Sequence, residues 1–181
     1  TMTRGSDLLD SIRARMKADG LTVRTEPEAL LVRCDAFGTV SLVSDLAERL
    51  AAEGIAKEFT VTLTEEGSGA VIDLIWTGAP LSVGKLDQWL TAPVEAGLAN
   101  VTGRSVLRGM ATECWPERRD GGQAVIRLPI REARRAGRRP PPVPRAVVYD
   151  FDLLSKSRNA EVSQSRLEDL TYVVFDTETT G

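Results

Sequence analysis

Apolar and polar positions alternate between helical and strand-like spacing along the first 130 residues of the chain. The helical spacing predicts α-helices over about residues 7–18, 36–53, 86–90 and 102–111. The strand-like runs are 21–24, 30–33, 59–63, 70–76, 113–115 and 124–128. Because strands and helices are mixed along the chain, the pattern favours an α+β fold. We expect a two-layer α/β sandwich with a mixed, mostly antiparallel sheet.

Turn-forming residues separate three pairs of these strands. The first pair is divided by Glu-Pro-Glu, and Pro27 biases the residue before it away from helix, so a hairpin or strand pair is predicted there. The second pair flanks EEGSG and the third flanks RRDGG. Their glycines supply the positive φ angles of tight connections, which predicts two antiparallel hairpins.

The composition shifts after residue 130. Arginines between Arg131 and Arg139 lead into a proline-rich stretch that is typical of a semi-rigid connector. We therefore divide the chain into a domain over 1–130, a linker with a docking segment over 131–170, and a single strand over 171–181. The docking segment is YDFDLL at 149–154. The arginines are interpreted as solvated, with contact to nucleic-acid phosphates as the alternative.

Composition and charge exclude several classes of protein. The chain is 42% hydrophobic and 27% charged, with a formal net charge of -3, so a buried core is feasible and nothing global favours nucleic acid or membranes. Histidine is absent, which excludes a self-sufficient histidine kinase. Cys34 and Cys114 lack the paired spacing of metal or redox sites. We expect a cytoplasmic protein without a membrane partner.

The order of the predicted elements resembles the ATP-binding domain shared by histidine kinases, DNA gyrase and a class of heat-shock chaperones. The resemblance covers roughly residues 29–130 and rests on a helix and strand pair, a long helix, a hairpin, an irregular loop, a helix and a closing hairpin. It implies the fold of that domain for the first part of the chain, as a regulatory or interaction domain.

The family's nucleotide-binding residues are altered in this sequence. In the family an aspartate after a strand binds the adenine amino group, and here Trp76 takes its place, followed by Gly78. The family's long helix presents an asparagine to Mg²⁺, and here Arg49 most nearly takes that position. The phosphate loop corresponds to GLANVTG. We therefore predict a degenerate, non-ATPase pocket that binds no cofactor, formed by Asp45, Arg49, Trp76, Gly78 and Gly103.

The last eleven residues, TYVVFDTETTG, combine a compact apolar strand with two carboxylates. Residues two apart on a strand face the same side, so Asp176 and Glu178 converge on one point. Hard oxygen ligands placed in this way suit Mg²⁺ or Mn²⁺.

This stretch resembles the first motif of DEDD-family 3′-5′ exonucleases, which include the proofreading epsilon subunit of bacterial DNA polymerase III. The resemblance implies that Asp176 and Glu178 hold Mg²⁺ or Mn²⁺ at the 3′ end of a nucleic acid. The family also needs two further aspartates and usually a histidine, on later segments. We therefore expect a truncated piece without nuclease activity, taken from a longer metal-dependent exonuclease.

Two hypotheses for the function remain open from the sequence. In the first, the chain is the N-terminal regulatory part of a DNA polymerase III epsilon-like exonuclease. Its partners are then its own downstream exonuclease domain and, through that domain, nucleic acid. In the second, it is a non-enzymatic sensor or protein-interaction module derived from the kinase ATPase fold, with a protein or small molecule as its ligand.

Overall fold

The computed structural model describes residues 1–137, which contain four α-helices and eight β-strands. The helices are α1 (Gly5–Ala18), α2 (Ala36–Ala52), α3 (Val83–Leu90) and α4 (Gly103–Gly109). The strands are β1 (Met2–Arg4), β2 (Thr22–Pro27), β3 (Leu30–Arg33), β4 (Glu58–Glu66), β5 (Gly69–Thr77), β6 (Trp115–Arg119), β7 (Gln123–Ile130) and β8 (Ala133–Arg135). The four predicted helices are confirmed with small shifts at their ends.

The strands form two sheets. The larger sheet has five strands in the order β2-β4-β5-β7-β6. Strands β2 and β4 are parallel, and the other neighbours in this sheet are antiparallel. The smaller sheet is antiparallel with the order β1-β3-β8. The predicted two-layer α/β sandwich with a mixed, mostly antiparallel sheet is therefore confirmed.

The core lies between the larger sheet and the helices α1 and α2. Helix α1 buries one apolar stripe, as its spacing predicted: Leu8, Leu9, Ile12 and Met16. Helix α2 packs Leu42 and Leu46 against β5 and β7, and the space left between them is only ≈ 10 Å³. Such a space is about the minimum for one water molecule, so the two layers are tightly packed.

The two predicted antiparallel hairpins are confirmed. Strands β4 and β5 are joined through Gly67, whose φ of 60° is a left-handed conformation that favours glycine. Strands β6 and β7 are joined through Gly121 and Gly122, with φ angles of 77° and 76°. The first strand of this hairpin spans 115–119 and not the predicted 113–115, so the two arginines of the predicted turn belong to the strand. The turn residues therefore set both of these local pairings.

The predicted pairing of β2 with β3 is wrong. Strand β2 pairs in parallel with β4, whereas β3 pairs with β1 and β8 in the smaller sheet. The connection at Glu28 is short enough for a hairpin, but the Glu28 backbone N–H donates to Leu63 O on β4 at 2.9 Å. The chain therefore crosses from one sheet to the other at this point.

The first residues of the predicted linker form part of the folded domain. Ala133–Arg135 pairs with β3, and the Ala136 backbone N–H donates to Ala29 O at 2.9 Å. The compact unit extends from Thr1 to Gly137. The remainder of the linker, the docking segment and the terminal strand with Asp176 and Glu178 lie outside the described residues.

Candidate functional site

Trp76 occupies the end of β5, where the resemblance placed an adenine-binding carboxylate. Its side chain is buried at 2% exposure, and its indole N–H donates to Ala79 O at 2.9 Å. The Gly78 N–H donates to Gly122 O at 3.1 Å, and its φ of 145° favours glycine. The indole nitrogen is a hydrogen-bond donor only, so Trp76 cannot accept a hydrogen bond from an adenine amino group as a carboxylate does.

Asp45 and Arg49 form an ion pair on α2. They are four residues apart on one helix face, and Arg49 Nε lies 2.8 Å from Asp45 Oδ2. Burial raises the pKa of Asp45, and the hydrogen bond from Arg49 opposes that shift. Arg49 Nη2 also donates to Pro93 O at 3.4 Å. Arg49, which most nearly takes the position of the family's metal-binding asparagine, is therefore already paired with a carboxylate of the chain.

Gly103 begins α4 and serves close packing between helices. A Cβ atom at this position would lie 2.7 Å from Leu90 Cδ2 and 3.1 Å from Leu42 Cδ1. Thr102, the residue before Gly103, caps the helix. It forms a capping box with Ser105, whose backbone N–H donates to Thr102 Oγ1 at 3.1 Å. The glycine lets α4 approach α2 and α3 closely.

Glu95 brings a carboxylate into the same region from the loop over residues 91–102. Its Oε2 atom accepts from Arg15 Nη2 and from Ser41 Oγ, both at 2.6 Å. The hydrogen bonds from Ser41 and Arg15, in that order, lower the pKa of Glu95. Its side chain is 19% exposed. The loop is thus joined to α1 and α2 by a charged contact.

Sequence reasoning placed Asp45 and Arg49 together but missed Arg15, Ser41 and Glu95. Glu95 is 80 residues from Arg15 and 54 residues from Ser41 in the sequence. No local spacing connects them, since Arg15 lies outside the apolar stripe of α1 and Glu95 lies in an irregular loop. The resemblance to the family pointed only to the two residues of α2.

A second polar site lies on the outer face of the larger sheet, opposite the helices. Asp73 on β5 is only 3% exposed, and it pairs with Arg119 Nη2 at 2.7 Å and with Arg127 Nε at 2.9 Å. The hydrogen bond with Asp73 raises the pKa of Arg127. The pairs lie in a groove of ≈ 630 Å³, which is also lined by Thr60, Thr62 and Thr64.

Two absences hold for the part of the chain that the structure describes. Within residues 1–137, no group of three or more acidic, cysteine or histidine side chains is placed to hold a metal ion. No helix in that range is long and apolar enough to cross a membrane.

Solved structures of histidine kinase domains share the fold. The catalytic domain of the histidine kinase ThkA matches with a TM-score of 0.55 and 15% identity, covering 72% of this chain and 94% of that one. The mycobacterial sensor histidine kinase MprB matches with a TM-score of 0.55 and 13% identity, covering 72% of this chain and 97% of that one. The histidine kinase domain of the E. coli osmosensor EnvZ matches with a TM-score of 0.55 and 12% identity, covering 72% of this chain and 87% of that one. At these identities the likeness shows the fold alone, which is that of histidine kinase ATPase domains.

A curated relative aligns over nearly the whole chain. The DNA polymerase III subunit epsilon-like protein of Rhodobacter capsulatus is 44% identical over 185 residues, which cover 99% of this chain and 26% of the relative. The chain therefore spans about a quarter of the length of the curated relative that it matches. No family model matches the chain.

Proposed function

We propose that the chain is the N-terminal regulatory part of a DNA polymerase III epsilon-like 3′-5′ exonuclease, and that it does not digest nucleic acid by itself. The observation that carries this proposal is the 44% identity to the epsilon-like relative over 99% of the chain. The chain covers only 26% of that relative, so the relative has ample length for further motifs.

In the parent enzyme, Asp176 and Glu178 supply two of the carboxylates that hold Mg²⁺ or Mn²⁺. Carboxylate oxygens are the ligands that these hard cations prefer. When bound, the metal ions activate a water molecule and stabilise the departing oxygen of a 3′-terminal phosphodiester. Two carboxylates alone do not complete the site, which supports an inactive chain.

The folded domain regulates the nuclease without ATP hydrolysis. Trp76 replaces the adenine-binding carboxylate, and its N–H is used by Ala79. Arg49 is neutralised by Asp45 at 2.8 Å. A domain with the kinase fold but without its nucleotide-binding chemistry acts through its surface, and its nearest partner is the downstream exonuclease domain of the same protein.

The direct test is a nuclease assay on labelled single-stranded DNA with Mg²⁺ or Mn²⁺. In the full-length parent, Asp176→Ala or Glu178→Ala is expected to lower turnover by at least about 100-fold, because each removes charge stabilisation from the transition state. Asp152→Ala is the matched control and should retain activity. The 181-residue chain alone should show none. Digestion by that chain, or near-normal digestion by the Asp176→Ala enzyme, contradicts the proposal.

Deleting residues 1–137 from the parent tests regulation separately from chemistry. The shortened enzyme should still digest DNA, but with a rate or a KM different from that of the intact enzyme. Identical kinetics with and without these residues argue against a regulatory role and leave the nuclease assignment standing.

A non-enzymatic protein-interaction module is the second candidate, and the groove around Asp73 favours it. Three threonine hydroxyls and two partly exposed arginines face this groove, so it offers many hydrogen-bonding groups to a partner. Thr62→Lys should weaken binding of the chain to the purified downstream part of the parent, because it fills the groove without touching the core. Binding that is unchanged by this variant removes the groove from consideration.

A further inference from the structure

The contact made by Glu95 has the chemistry of a bound anion. One oxygen, Oε2, accepts hydrogen bonds from a guanidinium and from a hydroxyl, both at 2.6 Å. The donors belong to two different helices: Arg15 to α1 and Ser41 to α2. Charged hydrogen bonds of this length are the strong ones, and guanidinium groups are common binders of carboxylate and phosphate oxygens.

The charges around this contact cancel only while Glu95 is present. Arg15 and Arg49 are balanced by Asp45 and Glu95, and Asp45 is held by Arg49 at 2.8 Å. Without the Glu95 carboxylate, the four-residue cluster has one excess positive charge at Arg15. Ser41, which is 1% exposed, would also lose its acceptor. A buried donor without a partner is costly, so the vacated position favours another anionic oxygen.

We propose that Arg15 and Ser41 form a binding site for one anionic oxygen of a carboxylate or phosphate ligand, and that Glu95 is its resident internal ligand. Glu95 and an external anion then cannot bind Arg15 and Ser41 at the same time. This inference goes beyond the regulatory role proposed above, since it names the chemistry of a ligand and does not depend on the nuclease assignment.

The base of the loop over residues 91–102 is held by contacts that do not involve the Glu95 side chain. Val94 is anchored in the core at 6% exposure, and its N–H donates to Val101 O at 2.9 Å. Beyond Glu95 the chain is more open: Gly97 has a φ of 84°, and Leu98 is 43% exposed. Val94, Val101 and the bridge between Pro93 and Thr102 hold the base of the loop. The charged contact of Glu95 with Arg15 and Ser41 is what joins the side chain of Glu95 to α1 and α2.

Chemical rescue tests the site. Glu95→Ala in the 181-residue chain removes the internal ligand and leaves space beside Arg15 and Ser41. In sodium chloride its Tm should fall by about 5 °C relative to the unsubstituted chain. Sodium acetate or sodium phosphate at equal ionic strength should recover part of that loss. Rescue by acetate alone identifies a carboxylate site, and greater rescue by phosphate identifies a phosphate site.

Two variants separate site binding from general salt effects, since phosphate stabilises many proteins by exclusion from their surfaces. Glu95→Gln keeps the volume of the side chain and should show no specific rescue. Glu53→Ala removes a carboxylate that pairs with Lys85 at 2.8 Å elsewhere on the surface, and it is the matched control. Equal salt responses in Glu95→Ala and Glu53→Ala, or no rescue at all, overturn the proposal.

The unsubstituted chain provides a test that does not require a folded variant. Concentrated phosphate or acetate competes with Glu95 for Arg15 and Ser41, so hydrogen exchange of the amides in the loop over 91–102 should become faster than in chloride. The amides of β5 should exchange at the same rate in all three salts. Loop exchange that does not depend on the anion contradicts the inferred site.

Discussion

At the scale of single residues, Glu95 is the carboxylate that we propose as the internal ligand of Arg15 and Ser41. The two hydrogen bonds to its carboxylate join a loop to two helices, and they lower the pKa of Glu95 from its ordinary value of 4.5. A carboxyl group whose pKa is lowered on folding stabilises the native state above its unfolded pKa. That stabilisation is lost as the pH falls through the lower, folded-state pKa.

We therefore expect a pH-dependent effect of Glu95→Gln. Compared with the unsubstituted chain, the variant should have a lower free energy of unfolding at neutral pH, and the difference should shrink as the pH falls below about 4.5. Urea unfolding between neutral and acidic pH measures this difference. Glu53→Gln controls for the loss of one surface carboxylate. A difference that stays constant to the lowest pH at which the domain folds contradicts the assignment.

Only part of the candidate site could be predicted from sequence. Asp45 and Arg49 were placed in one pocket by the resemblance to the family's long helix, and the structure shows that they pair four residues apart on one helix face. The contact of Arg15 with Glu95 depends on how α1 and the loop are placed against each other in three dimensions. Single-sequence spacing contains no information on that placement.

At the scale of elements, glycine contacts show which strand pairings tolerate no side chain. A Cβ atom on Gly69 would overlap the backbone carbonyl oxygen of Ile130, at the point where β5 begins its pairing with β7. Backbone cannot move aside as a flexible side chain can. The absence of a side chain at Gly69 is therefore required by the close approach of the two strands.

Gly69→Ala should destabilise the domain by more than about 2 kcal/mol, since the overlap forces β5 and β7 apart. The matched control is Gly84→Ala in α3, where no heavy atom lies within 4 Å of the added methyl group. That control should be neutral or stabilising by up to about 1 kcal/mol, because alanine favours helix over glycine. Urea unfolding of both variants provides the comparison. Equal effects at the two positions would show that the β5–β7 contact is not tight.

Local sequence predicted elements better than it predicted their partners. The β4–β5 and β6–β7 hairpins follow from glycine turns between neighbouring strands. The pairing of β2 with β4 joins strands on either side of α2, and β3 joins strands from both ends of the domain. Such pairings are decided by the packing of the helices on the sheet, because no turn residue connects the partners.

At the scale of the whole molecule, β8 extends the folded domain beyond the predicted boundary at residue 130. The Ala133 N–H donates to Ser68 O at 3.1 Å, and the Arg33 N–H donates to Glu132 O at 2.9 Å. Glu132 also pairs with the Arg33 side chain at 2.5 Å. The contacts with Arg33 add β8 to the smaller sheet, and the bond to Ser68 ties β8 to the turn between β4 and β5.

A chain truncated after Gly137 should therefore be more stable than one truncated after Ile130. We expect a Tm difference of at least about 5 °C, because the shorter chain leaves one edge of β3 unpaired. Thermal unfolding followed by circular dichroism measures it. Equal Tm values would mean that β8 contributes nothing to the stability of the domain.

The 181-residue chain should bind ATP weakly or not at all. Trp76 provides no acceptor for adenine. Arg49 is paired with Asp45, and Arg15 is paired with Glu95, so neither cation is free for a phosphate. Calorimetric titration with ATP and Mg²⁺ is the measurement. A Kd at or below the low micromolar range would show that the pocket retains nucleotide binding.

The sequence alone determined the helices, the glycine hairpins and the class of fold, because these follow from hydrophobic spacing and from local backbone preferences. Only the tertiary structure decided that β2 and β3 belong to different sheets and that Glu95 meets Arg15 and Ser41. The physical reason is the same in both cases. Partners far apart in sequence are selected by the packing of the whole domain, where burial and charge neutralisation are satisfied together, and no short stretch of residues encodes that choice.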